Sequence, residues 1–305
     1  MTATGPDVLV IGDALLDVTA RPLTPMRTGA DAPAEVRIGC GGQGANLAVR
    51  LARRDVPVEL VCALGDDPGG SLVRDALERE GVALSSVGAA ATGTVVILLD
   101  RRGERTMLSQ RAPFAAPAAA AVHAGAGWLL VSGYLLCEPA ADDLARGLAD
   151  MPARRALVGC AVPDAMRETW LHAAAALRPD LVIVNRDEAM ALMPGSTTAH
   201  DMVDRLGRRL GCGMVVTDSS GATASLNGVA GAVRGSHNGP ASDTTGAGDA
   251  FAAALVASLL GAPWPPDAIG LESALTLAVE AGSAVAQAAG AQGEVAGERD
   301  AGVPT

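Results

Sequence analysis

The hydrophobic pattern opens with Val8-Leu9-Val10-Ile11, a continuous apolar run that stops at Gly12, as a strand buried on both faces of a parallel sheet does. Short runs of the same kind recur at 58–65, 129–132, 156–160, 181–184 and 214–217. Between and after them, helical spacing is expected over 47–54, 70–80, 138–150, 164–176 and 199–210, and from Asp249 through the Ala/Leu run to Leu260. Strand and helix therefore alternate. That predicts an α/β fold built on a doubly wound, largely parallel sheet with helices on both faces.

Two stretches depart from this rhythm. Residues 18–38 hold Pro, Thr and the short alternation Glu35-Val36-Arg37-Ile38, while 94–111 hold two short strand patterns around the turn Arg101-Arg102-Gly103-Glu104. Both read as extended segments outside the main sheet, able to pair into a small β lid that could also join two copies as a homodimer. No repeat or low-complexity linker divides the chain, so 1–305 is expected to be a single domain with the lid inserted and a frayed tail at 291–305.

Composition narrows the chemistry. Hydrophobic residues make up 49% of the chain and aromatics 2%, so the core must be mainly Ala, Val and Leu. All 23 basic residues are Arg. Without Lys there is no Schiff base and no P-loop, so phosphate chemistry must rest on backbone N–H groups, Arg and a metal. A net charge of -11 argues against nucleic acid as a partner. Cys40, Cys62, Cys137, Cys160 and Cys212 are widely spaced and form no CxxC pair, which fits reduced thiols in a cytoplasmic chain. No signal-peptide pattern or uncharged apolar run of about 18 residues points to a membrane.

Three polar stretches interrupt the apolar pattern. Asp13 and Asp17 follow the first strand, at the carboxyl end where open α/β sheets bind ligands. A turn-capping role suits Asp13 better than Asp17. Gly39-Cys40-Gly41-Gly42-Gln43-Gly44-Ala45-Asn46 brings backbone close to a ligand and then starts a helix. Gly39, Gly41 and Gly44 formally satisfy GxGxxG, but the strand before them is short and the acid Glu59 comes too early in the next one, so an NAD-dependent dehydrogenase is a weak reading. Late in the chain, Asp243-Thr244-Thr245-Gly246-Ala247-Gly248-Asp249 feeds a helix whose first amides and dipole favour an anion. Asp249 would repel a phosphate there unless it handled a proton, which makes it a candidate general base. An Asp in a first helical turn also needs no ligand to be favourable.

Gly41-Gly42-Gln43-Gly44-Ala45-Asn46, Asn185-Arg186-Asp187-Glu188 and the 243–249 stretch, in that order, resemble the ribokinase-like carbohydrate kinase family over about residues 7–290. The resemblance implies transfer of the γ-phosphoryl group of ATP to a small carbohydrate, with Asp249 as base and the amides of Gly246, Ala247 and Gly248 as anion hole. It implies sugar contacts at Asp17, Gly42, Gln43 and Asn46, and Mg²⁺ held through water by Glu188 beside Asn185. The nucleotide would lie along Asn185, Thr217, Ser219, Gly221, Gly246 and Gly248. The loop at 217–221 is one residue shorter than the family's and carries Asp218 close to the expected phosphates. Asp243 and Thr245, with Ala288 to Ala291, resemble a monovalent-cation loop for K⁺.

The sugar is less defined: a pentose, a hexose or a keto-deoxy sugar acid. Gln43 stands where ribokinase often has Lys, so ribose is not implied. Strand alternation places Arg105, Met107, Ser109 and Arg111 on one face, from which Arg111 could hold a substrate carboxylate. A nucleoside kinase on the same fold is disfavoured by the scarcity of rings for base stacking. A catalytically inactive sugar-binding relative is disfavoured by the intact Asp249 turn.

Overall fold

The computed structural model describes residues 5–100, 105–114, 125–235 and 246–287. The chain runs β1 (Val8–Ile11), β2 (Leu15–Pro22), β3 (Ala34–Gly41), α1 (Gln43–Ala52), β4 (Val58–Gly65), α2 (Pro68–Arg79), β5 (Ala83–Ala89), β6 (Thr94–Leu99), β7 (Arg105–Gln110) and β8 (Trp128–Ser132). It continues through α3 (Ala141–Ala149), β9 (Arg154–Val158), α4 (Arg167–Ala176), β10 (Leu181–Asn185), α5 (Arg186–Leu192), α6 (Ala199–Leu210), β11 (Gly213–Asp218), β12 (Gly221–Leu226), β13 (Val229–Arg234), α7 (Ala247–Leu259) and α8 (Ala268–Gln287).

Nine strands form the main sheet in the order β13-β12-β11-β10-β9-β8-β1-β4-β5. Pairing is parallel from β11 to β5 and antiparallel at β12 and β13. The uninterrupted apolar runs follow from burial on both sides. Val8 and Val10 enter one core with residues of α1, α7 and α8, whereas Leu9 and Ile11 enter the other with residues of α3, α4 and α6. Helix α8 is long and apolar enough to cross a bilayer by length and composition, yet Leu271, Ala274, Leu275 and Ala278 are buried in the first core.

The second sheet is the lid, ordered β3-β2-β6-β7. Its register puts Asp17 beside Val95, and Val95 beside Ser109, on one face. Ile38, Val18, Val96 and Leu108 form a row across all four strands on the other. Arg111 falls one residue past β7, so the strand-face placement expected for it does not extend that far. The formal GxGxxG match, already a weak one, finds no support in the fold. Gly39 and Gly41 belong to lid strand β3, not to a parallel strand, and Glu59 sits near the amino end of β4, where it accepts a hydrogen bond from Ser85 Oγ at 2.5 Å. The turn at 101–104 and the tail at 291–305 lie outside the described residues.

Candidate active site

Strands β1, β8, β9 and β10 all point their carboxyl ends toward the starts of α1 and α7. The crossing is tight: a Cβ on Gly44 would stand 2.7 Å from the Cα of Gly12, so only glycine lets α1 begin this close to β1. Asp13, just past β1, is a hub. One carboxylate oxygen lies 3.1 Å from Ser132 Oγ and 3.4 Å from the Gly44 N–H, and the other is paired with Arg111. Gln43 Oε1 sits 2.7 Å from the same hydroxyl and accepts from the Gly133 N–H at 3.2 Å, while Nε2 donates to Gly159 O at 2.7 Å. Both ends of the Gln43 amide are thus engaged with protein, stitching α1 across the ends of β8 and β9.

Asp249 occupies the first turn of α7, whose cap is Gly246 at φ 75°. The first-turn amides have no intrahelical acceptor, and Gly248 is exposed. Asn46 Nδ2 donates to Asp249 Oδ2 at 2.9 Å, joining the two helix starts. Burial pushes the Asp249 carboxyl up to about 7; the Asn46 hydrogen bond pulls against this, and Asp13 and Glu188 add to it. The residue as a whole keeps some accessible surface.

Asp17 approaches from the lid. A Cβ on Gly41 would stand 2.0 Å from its carboxylate, so glycine at 41 makes the space that Asp17 fills. Burial, then repulsion from Asp13, raises the Asp17 carboxyl to about 6 against the pull of Arg111. Among the described residues its carboxylate has no hydrogen-bond partner. Arg111 is committed elsewhere: it pairs with Asp13 and lies 3.7 Å over the Tyr134 ring. Glu138 lines the same pocket as Asp13 and Arg111, and burial raises its carboxyl.

Asn185 ends β10 and caps α5 in a reciprocal box, its Oδ1 accepting from the Glu188 N–H at 2.9 Å while Glu188 Oε2 accepts from the Asn185 N–H at 3.0 Å. Burial raises the Glu188 carboxyl, and a Cβ on Gly159 would come within 2.7 Å of it. Asn185 pairs with Thr217 across β10 and β11. Ser219 is exposed in the turn into β12, and Gly221 holds φ 139° where a Cβ would stand 2.0 Å from Val233 O. Asp218 is occupied by Ser220, which donates its N–H at 2.7 Å and its hydroxyl at 2.5 Å, and Arg186 stands 3.8 Å away. This charge is therefore partly satisfied within its own turn.

Asp17, Gly42, Gln43, Asn46 and Asp249 thus converge at one end of the sheet. Asn185, Glu188, Thr217 and Gly221 lie along its β10–β11 side, while Asp243 and Thr245 lie outside the described residues. The sequence undersold Asp13 as a turn cap, and nothing in it singled out Ser132, Tyr134 or Glu138. Arg50, fully buried one helical turn after Asn46 and lowering the pKa of Asp249, was detectable as an Arg on an apolar helix face.

The parallel sheet with a strand-built lid defines the class, a ribokinase-like α/β protein. The structure superposes on ribokinase from Thermotoga maritima with a TM-score of 0.76 at 18% identity, covering 97% of this chain and 98% of that one. It superposes equally on an Arabidopsis thaliana ribokinase complexed with ribose and ATP, with a TM-score of 0.76 at 21% identity and coverage of 94% and 95%. The family follows from sequence. The model of the pfkB family carbohydrate kinases matches residues 6–296, and the chain belongs to that family. A fructokinase of Klebsiella pneumoniae is 30% identical over 93% of this chain and 94% of its own length. The protein is accordingly a phosphotransferase with a sugar hydroxyl as acceptor.

Proposed function

We propose that the chain transfers the γ-phosphoryl group of ATP to a hydroxyl of a neutral ketohexose, fructose foremost. The observation that carries this reading is Asp249, a carboxylate in the first turn of α7 that accepts from Asn46 at 2.9 Å and whose pKa burial raises. A base with a pKa near 7 matches its task at neutral pH. As the sugar oxygen bonds to the γ-phosphorus and the bond to the bridging oxygen of ADP breaks, the hydroxyl proton passes to Asp249. The amides of Gly246, Ala247 and Gly248 are placed to hold the transferring oxygens. Asp17, Gly42 and Asn46 surround the sugar, and the ordered Gln43 amide shapes the floor of that site.

A neutral sugar is favoured because Arg111 is already matched. With Asp13 on its guanidinium and Asp17 and Glu138 nearby, the cleft carries an excess of carboxylates, which repel a sugar acid. The fructokinase likeness agrees. ATP consumption with fructose, ribose and ketodeoxygluconate tests this: fructose should give the highest kcat/KM, and preference for the sugar acid would overturn it.

Mg²⁺ keeps much of its water and takes other ligands from phosphate, so it needs few protein ligands. Glu188, a carboxyl disfavoured as an anion by burial, would gain from such a charge, so Glu188 and Asn185 are where this chain would hold it. When bound, Mg²⁺ neutralises charge on the phosphates. Glu188→Gln should therefore raise the Mg²⁺ concentration for half-maximal rate more than it raises the sugar KM. An unchanged Mg²⁺ titration would leave Glu188 as a helix cap alone.

The outer lid face supports a homodimer. Ile38 and Leu108 end the apolar row and are 59% and 61% exposed, more than an isolated lid sheet should leave in water. Light scattering should find a dimer in the wild type and a folded monomer in Ile38→Glu/Leu108→Glu; a monomeric wild type removes the idea.

A further inference from the structure

Asp67 follows β4 and caps α2, its Oδ1 accepting from the Gly70 N–H at 2.7 Å. Capping alone would use one oxygen. Both oxygens instead reach Thr92, 25 residues away: the Thr92 hydroxyl donates to Oδ1 at 2.7 Å and the Thr92 N–H donates to Oδ2 at 2.8 Å. The Gly65 N–H in turn donates to the Thr92 hydroxyl at 3.1 Å. The cluster is built without spare room. A Cβ on Gly65 would stand 2.6 Å from both Asp67 Oδ2 and the Thr92 nitrogen, and one on Gly70 would stand 2.8 Å from Thr92 Oγ1.

The place of Thr92 gives the cluster its meaning. It lies where the chain leaves β5 of the main sheet and enters β6 of the lid. The next residue, Gly93, accepts from the Leu16 N–H at 2.8 Å, and Leu16 precedes Asp17. A Cβ on Gly93 would meet Leu15 at 2.5 Å and the Ala112 nitrogen at 3.0 Å, so two further lid connections pass this point. A continuous set of short contacts thus runs from Asp67 through Thr92, Gly93 and Leu16 to Asp17.

We propose that Asp67 and Thr92 are positioning residues that fix the lid hinge and, through it, the placement of Asp17 over the sugar. The functional half of this rests on the kinase reading above; the mechanical half does not. The hydrogen bonds on Asp67 also hold its carboxyl below the usual carboxylate range, led by that from the Thr92 N–H, so the clamp stays charged at neutral pH.

Thr92→Val removes the hydroxyl at nearly constant shape, and Thr92→Ser restores it. Backbone hydrogen exchange in the ligand-free protein should speed up over 15–22 and 94–99 in the Val variant but not in β8–β11, with the Ser variant close to wild type. The Val variant should also raise the sugar KM about ten-fold, the equivalent of about 1.4 kcal/mol, without moving the ATP KM. If Thr92→Val does not fold, Asp67→Asn serves. It keeps the Oδ1 acceptor but sets an amide donor against the Thr92 N–H, and should give the same pattern. Unchanged lid exchange, or a fall in melting temperature with both KM values intact, would overturn the proposal. Faster lid exchange in a protein whose wild type turns over no sugar would instead uphold the hinge and remove the kinase reading.

Discussion

Asp249→Asn is expected to lose ~10²- to 10⁴-fold in kcat, the contribution of a well-placed base, with its fold unchanged. Asn46 can still meet an amide oxygen at this position, so the link between α1 and α7 survives. The wild-type kcat/KM should fall below about pH 7, as Asp249 takes up its proton, and this limb should vanish in the variant. Stability should move the other way. A carboxyl whose folded pKa is raised binds its proton more tightly folded than unfolded, so the native state loses stability as pH rises from the ordinary carboxylate range to about 7. The variant should therefore melt no lower than wild type at pH 8, whereas a purely structural Asp249 would make it melt lower. Near wild-type kcat would remove Asp249 from the chemistry.

Asp17→Ala is expected to cost ~1.5 to 3 kcal/mol of sugar binding, or about ten- to a hundred-fold in kcat/KM, the value of a hydrogen bond to a charged group. The carboxylate is held half-buried above the cleft without a partner among the described residues, and its pKa of about 6 records the cost. Sugar hydroxyls donating to it would recover that cost. The variant should accordingly be at least as stable as wild type above pH 6 in the absence of sugar, and its ATP KM should not change. An unaltered sugar KM would return Asp17 to the lid as a bystander.

The legibility of the fold varied with how burial writes itself into sequence. Val8-Leu9-Val10-Ile11 is buried on both faces and could hardly be read otherwise. Strand β5, Ala83-Leu84-Ser85-Ser86-Val87-Gly88-Ala89, lies at the sheet edge with no fully buried position, so it carries almost no pattern. The hairpin of β12 and β13 buries Ala222, Ala224 and Leu226, and alanine marks a core face too faintly to announce a strand. The expected helix at 138–150 is α3 over Ala141–Ala149, preceded by a 3-10 turn at Gly133–Cys137. Helix α5 is too short, at seven residues, to set a helical period, and Ala-rich α8 leaves Ile269 and Leu277 exposed, which blurs the contrast with its buried side.

The site shows the same division. Motifs whose glycines are required by close approach, such as Gly41, Gly44 and Gly221, could be found from spacing. Long-range partnerships could not. Nothing local tells Arg111 that Asp13, 98 residues earlier, will take its charge, and that pairing weighs against the sugar acid among the substrates the sequence leaves open. The engagement of the Gln43 amide by Ser132, Gly133 and Gly159 is equally absent from any local pattern.

Phosphoryl transfer to a neutral sugar, with Asp249 as base, can be followed through the γ-phosphate of labelled ATP in the presence of fructose. In the wild type the label should appear in a sugar monophosphate, mole for mole with ADP, and in Asp249→Asn it should do so at a rate lower by ~10²-fold or more. Label released only as inorganic phosphate, or equal transfer by the two proteins, would contradict it.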